Sequence, residues 1–296
     1  MVITTGFFDG VHLGHRLVIE QLIKAAATRE DESMVITFWP HPRNVLQQGA
    51  RNLRLLNSLQ EKEDILKTMG VDRVEMLPFS REFSELSTEE YFSELIKRFG
   101  AKTILLGYDN RIGNNSSGAS EVYQVAKSLG LEVINVDVVN STEGYAISST
   151  KIREALAAGN VKLASKMLGY DYSLYGVVIA GQKLGRTIGF PTANMQLYEP
   201  LKCLPEDGVY FVKVNTIGRE LYGMCNIGYR PTVSGNGLIK TIETNIFDFD
   251  DEIYGLDIQV TFLERIRDEV KFNSLEDLRV QLEKDRDVCL SKIQIF

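Results

Sequence analysis

The feature that most constrains this chain is a change of hydrophobic period near residue 168. Before it, short runs rich in Val, Ile and Leu (residues 2–5, 34–38, 73–77, 103–107 and 132–138) alternate with helical patterns (14–28, 58–69, 88–99 and 119–129). In the first helical pattern Leu17, Ile19, Leu22, Ile23 and Ala26 form one apolar face, and Thr88 followed by Glu89 and Glu90 reads as a helix cap. Strands alternating with helices predict a parallel sheet covered on both faces. Two more helical segments follow, at 148–158 and 161–168. After them the runs at 172–180, 208–215, 221–227, 239–247 and 254–262 are separated only by Gly, Pro and Asn/Asp clusters. No long helix returns until 275–292. That pattern predicts an antiparallel barrel or sandwich with one helix attached. The expected organisation is therefore an α/β domain over 1–170 followed by an all-β domain over 171–296.

Composition bounds the function. A length of 296 residues suits two domains. No apolar run approaches about 18 residues, so no membrane partner is expected. A net charge of −7 argues against a nucleic-acid binder. The three cysteines are too few and too scattered for a disulfide framework or a zinc site. The N-terminus runs straight into a strand-like segment without a basic leader, so a soluble cytoplasmic protein is expected, as a monomer or weak homo-oligomer. The three histidines, His12, His15 and His41, all fall in the first 41 residues.

Gly6-Phe7-Phe8-Asp9-Gly10-Val11-His12-Leu13-Gly14-His15 follows the first strand and opens the first helix. In a parallel sheet that turn lies where ligands bind. A helix N-terminus there offers free N–H groups to an anion. Gly14 admits close approach, and two histidines three apart can donate to one phosphate. Ala146-Ile147-Ser148-Ser149-Thr150-Lys151-Ile152-Arg153 enters a later helix with hydroxyls and positive charge suited to phosphate oxygens. Taken singly, each segment also reads as an ordinary capping turn. In the second half, Gly181-Gln182-Lys183-Leu184-Gly185-Arg186-Thr187-Ile188-Gly189-Phe190-Pro191-Thr192-Ala193-Asn194 combines a flexible glycine loop with two cations. Thr192 and Asn194 present oxygen ligands suited to Mg²⁺ carrying nucleotide phosphates. The loop lacks the Gly-Lys-Ser/Thr end of a Walker A motif. By alternation alone Glu243 is an outward strand residue.

The first two segments resemble the nucleotidylyltransferase superfamily, with its His-x-Gly-His and Ile-Ser-Ser-Thr-x-Ile-Arg motifs. Thr37-Phe38-Trp39-Pro40-His41-Pro42 and Leu106-Gly107-Tyr108-Asp109 are similar to motifs of its flavin branch. The glycine loop ending in Pro-Thr-Ala-Asn resembles the riboflavin kinase signature. Lys240–Asp250 and Phe262–Glu269 extend that likeness. Together, in this order, they resemble the bacterial bifunctional riboflavin kinase/FMN adenylyltransferases. The resemblance implies a Rossmann-like domain followed by a riboflavin-kinase-like barrel. It implies that riboflavin is phosphorylated by ATP to FMN, and FMN adenylylated by ATP to FAD with release of pyrophosphate. It implies His12 and His15 as catalytic for adenylyl transfer, with Gly6, Phe7, Asp9, Gly14, Asp109, Ser148, Ser149, Thr150 and Arg153 binding ATP phosphates. For the kinase it implies Glu243 as general base, Thr192 and Asn194 as Mg²⁺ ligands, and Gly181, Lys183, Gly185, Arg186, Gly189, Phe190 and Pro191 around ATP and flavin. Asn245, where that family commonly has histidine, still offers hydrogen bonds. Two other readings remain open at this point: a kinase with a vestigial first domain, and a non-catalytic flavin-binding regulator.

Overall fold

The computed structural model describes residues 1–46, 53–107, 112–114, 119–136, 147–231 and 238–293. Contacts divide the chain into two compact units, Met1–Ser149 and Thr150–Phe296.

The first unit runs β1 (Val2–Thr5), α1 (Leu13–Thr28), β2 (Ser33–Trp39), α2 (Pro42–Leu46), α3 (Leu59–Thr68), β3 (Arg73–Pro78), α4 (Arg81–Ser84), α5 (Thr88–Phe99), β4 (Thr103–Gly107), α6 (Ala119–Ser128) and β5 (Glu132–Val136). The strands form one parallel sheet in the order β3-β2-β1-β4-β5. Because successive strand residues face opposite ways, each strand feeds two cores. Ile3, Met34, Ile36 and Ile104 pack with Phe92 and Leu95 of α5 and Ala126 of α6. Val2, Val35 and Leu105 pack with Ile19 and Leu22 of α1 and Leu66 of α3. Local signals fix the helix starts. Ser58 and Ser87 each make a capping box, with Glu61 and Glu90. The cap of α5 is therefore Ser87, not Thr88. Thr88 is the first helical residue, and its hydroxyl donates instead to the Ile112 carbonyl at 3.1 Å. The strand order reverses between β1 and β4, so their carboxyl ends flank the switch-point crevice where α/β sheets bind ligands.

After α7 (Ser149–Ala157) the second unit runs α8 (Val161–Leu168), β6 (Ser173–Ile179), α9 (Leu184–Thr187), β7 (Ala193–Leu197), β8 (Gly208–Thr216), β9 (Arg219–Pro231), β10 (Leu238–Ile246), β11 (Asp257–Arg267) and α10 (Leu275–Ile293). Six antiparallel strands close a barrel in the order β10-β7-β6-β11-β8-β9. The choice left open between barrel and sandwich is settled by β7, a strand hidden in the sequence behind the glycine loop. Residues 150–168 group with the barrel by contact, ahead of the boundary at 170 that periodicity marks. Their helical period continues the α/β pattern, but α8 packs on β11, with Lys162 paired to Glu264 at 2.8 Å. At the other end, α10 is fastened to β11 by Arg267–Asp285 at 2.8 Å and Lys292–Glu264 at 3.0 Å.

Candidate active sites

The turn from β1 into α1 is folded tightly. Phe8 (φ 51°), Gly10 (φ 84°) and Val11 (φ 35°) all sit in the left-handed region. For Phe8 and Val11 this is strained backbone of the kind found at functional sites. His12 caps α1, its Nδ1 accepting from the His15 N–H at 3.3 Å. The two imidazoles stack with centroids 3.6 Å apart and an interplanar angle of 15°. The edge of Phe8 meets His15 at 5.3 Å. A Cβ at Gly14 would sit tightly against the His12 ring, at 3.3 Å. The absent side chain thus makes room for the imidazole, a role the sequence did not show. His15 Nδ1 is buried and has no hydrogen-bond partner among the described residues. Burial, then the neighbouring His12 and Lys62, hold its pKa well below the ordinary imidazole value.

Asp9 is buried and points away from solvent, its carboxylate accepting from the Leu56 N–H at 3.0 Å and the Asn57 N–H at 3.3 Å. The Ser149 hydroxyl donates to the Asp9 carbonyl at 2.9 Å, joining the Ser-Ser-Thr segment to the turn. Gly6, Phe7, Asp9, His12, Gly14, His15 and Ser149 therefore lie in one turn-centred cluster, and Asp9 serves as a brace within it. Ser148 is half-buried beside Ser149, Thr150 is exposed and Arg153 half-buried. Asp109 lies outside the described residues. Sequence reasoning missed Lys62 of α3, which is 2% exposed and donates to the Phe7 carbonyl at 2.6 Å. Its one signal was a cation in the stripe that includes Leu59, Ile65 and Leu66.

Among the described residues of the barrel, two cavities stand out. One, of about 270 Å³, is lined by Lys183, Gly185, Phe190, Thr192, Asn194, Val209, Met224, Asn226, Glu243 and Asn245, with Leu278 and Leu282 of α10. The other, of about 390 Å³, is lined by Arg186, Pro191, Thr192, Thr244, Ile246 and the segment 249–254. Strand alternation separates them: Glu243 and Asn245 face the first, Thr244 and Ile246 the second. Glu243 is thus a cavity residue, not an outward one, and it stands directly opposite Asn194 across the β10–β7 pair. Asn245 makes the hydrogen bond its amide offered, donating to the Pro191 carbonyl at 2.7 Å. A Cβ at Gly181 would run into the Asn194 amide, and one at Gly185 into the Phe190 carbonyl, so both glycines are required by close approach. Gly189 turns the chain into Phe190 with φ 84°. The lining residues from β8, β9 and α10 were not singled out in the sequence, because each also reads as ordinary core.

The FAD synthetase family model matches residues 1–151 and the riboflavin kinase model residues 168–293. The bifunctional riboflavin kinase/FMN adenylyltransferase of Listeria monocytogenes is 37% identical over 284 residues, covering 96% of this chain and 90% of that protein. The Bacillus subtilis protein of the same name is 37% identical over 291 residues, covering 98% and 91%. Among solved structures, a macrolide-efflux protein from Streptococcus pneumoniae superimposes with a TM-score of 0.89 at 37% identity, over 97% of this chain and 93% of that one. Among the described residues here, no helix is long and apolar enough to cross a membrane. With one half matching each activity and relatives aligned over nearly its whole length, the chain belongs to the bifunctional riboflavin kinase/FMN adenylyltransferase family, which converts riboflavin to FMN and FMN to FAD.

Proposed function

We propose that the chain holds two separate active sites, with phosphoryl transfer centred on Thr192, Asn194 and Glu243 and adenylyl transfer on His12 and His15. One observation carries the kinase assignment: Thr192 lines both cavities, while Glu243 and Asn194 face each other in one of them. Flavin in the cavity walled by Leu278 and Leu282 and nucleotide in the other would bring the riboflavin 5′-hydroxyl and the γ-phosphate together at Thr192. Glu243 accepts the hydroxyl proton as attack begins. The β7–β10 pair fixes both partners, so positioning supplies most of the rate.

Mg²⁺ fits this arrangement. The Thr192 hydroxyl and Asn194 carbonyl are hard oxygen donors. No group of three or more His, Cys, Asp or Glu side chains suited to a metal occurs among the described residues. When bound, such an ion neutralises charge on the transferred phosphate.

In the first unit, the α1 N-terminus and the stacked imidazoles would stabilise charge on the ATP α-phosphate as an FMN phosphate oxygen attacks and pyrophosphate leaves. The net charge of −7 argues against a nucleic-acid partner; the partners proposed are ATP and flavins, and the compartment proposed is the cytoplasm. Glu243→Gln is expected to lower riboflavin phosphorylation by about 10²–10⁴-fold while FAD formation from supplied FMN stays at the wild-type rate. Chromatography of flavins after incubation with Mg-ATP checks both. Loss of FAD formation from FMN in the folded variant would refute separate sites.

A further inference from the structure

Strained backbone persists only where its surroundings hold it. The β1–α1 turn, with Phe8 and Val11 in the left-handed region, is held from the segment leading into α3 and from α3 itself. Asp9 is gripped by the Leu56 and Asn57 amides. The second grip is Lys62. Its Nζ donates to the Phe7 carbonyl at 2.6 Å and to the Thr37 hydroxyl at 3.2 Å, and lies 3.9 Å from the centroid of the Phe7 ring. Thr37 also donates to the same carbonyl, at 3.1 Å. One ammonium thus joins α3, the end of β2 and the turn.

Burying a cation is costly unless it is well satisfied. Burial pushes the Lys62 pKa down to about 8, against the pull of Asp9. An apolar residue in this stripe of α3 would pack at no such cost, so the charge calls for a reason beyond packing.

We propose that Lys62 is a positioning residue for adenylyl transfer: its ammonium fixes the Phe7 carbonyl, and with it the turn that presents His12, His15 and the α1 N-terminus to the ATP α-phosphate. This rests on the assignment of His12 and His15 to that reaction. The same charge acts on His15. The groups bearing on that imidazole are His12 beside it and Lys62 from α3; Asp9 bears on Lys62, Arg16 is bonded to the Val11 carbonyl, and His41 packs on Phe7. Lys62 favours neutral His15 in the free enzyme. Removing the cation therefore raises the His15 pKa, and the limb of the kcat/KM profile for FAD formation that His15 sets moves to higher pH.

Two variants of the full chain test this, assayed for FAD from FMN and Mg-ATP and for FMN from riboflavin. Lys62→Met removes donor and charge. Lys62→Gln keeps a donor for Phe7 but not the charge. Lys62→Met is expected to lose about 10–100-fold in kcat for FAD formation. Lys62→Gln should lose less, both should show the limb set by His15 shifted to higher pH, and riboflavin phosphorylation should be unchanged. Wild-type FAD formation by Lys62→Met overturns the proposal. So does equal loss in both variants without a shift of the limb, since that is what mere unfolding of the first unit gives. His12→Ala, run alongside, separates the two ideas: if it keeps FAD formation, the underlying assignment fails, and if it alone loses activity, only the role of Lys62 does.

Discussion

Asn194 is crowded by design. Across the β7–β10 pair it faces Glu243, and behind it lies Gly181, where a single added methyl would collide with the amide. Gly181→Ala should therefore displace Asn194 without touching the nucleophile or the base. A displacement near 1 Å at a positioning group costs on the order of 10–100-fold in rate. The expected outcome is a raised KM for Mg-ATP and a lowered kcat in riboflavin phosphorylation, with FMN adenylylation unaltered; steady-state kinetics of the two reactions decide it. At this scale the sequence was legible where residue types are chemically conspicuous together: two histidines around a glycine, or Thr and Asn closing a glycine loop. It was illegible where one residue does a job that its neighbours in sequence do not advertise. Lys62 looks like a surface lysine of an amphipathic helix until the fold buries it on Phe7. Gly14, read in the sequence as a phosphate-approach glycine, also leaves room for the His12 ring, whose nearest atoms would lie 3.3 Å from a Cβ there.

α10 is the element that lies on both stability and specificity. It lends Leu278 and Leu282 to the smaller cavity, and its inner face is bolted to β11 through Asp285, which is 2% exposed and accepts from Arg267 Nε at 2.9 Å and from Gln281 at 2.8 Å. Removing one partner of such a pair leaves the other charge half-buried without compensation. Asp285→Ala is expected to destabilise the second unit by about 2–3 kcal/mol, lowering its unfolding midpoint by roughly 5–10 °C. Because the helix walls the cavity, KM for riboflavin should rise in parallel, read at a temperature where the variant is still folded. Calorimetry and kinase assays together check this; destabilisation with an unchanged KM would show that α10 does not shape the flavin site. The long helices were legible because their periods are sustained: α5 and α10 cover the residues that their helical patterns mark, although the cap of α5 is Ser87 rather than Thr88. β7 was not, for its five residues, Ala193–Leu197, begin inside the loop whose glycines dominate the pattern. Closure of the barrel depends on that strand's pairing with β6 and β10, which is a long-range fact.

Over the whole molecule, two compact units of nearly equal length each carry a family signature. The sequence announced this by its change of period, but periodicity alone placed residues 150–168 on the earlier side, because a helix does not reveal which neighbour it packs on. The division has a kinetic consequence. FMN is the product of one reaction and the substrate of the other, and the residues on which the two are proposed to centre, Thr192, Asn194 and Glu243 for one and His12 and His15 for the other, fall in different units. A chain with Glu243→Gln keeps an intact adenylyltransferase site, and a chain with His12→Ala keeps an intact kinase site. Neither alone should convert riboflavin to FAD. An equimolar mixture should do so, because FMN released by one chain is free to reach the other. FAD should appear after a lag that shortens as total protein rises, since accumulation of free FMN sets the second rate. A mixture that makes FMN but no FAD, while the Glu243→Gln chain still adenylylates supplied FMN, would mean that FMN does not leave the chain that made it.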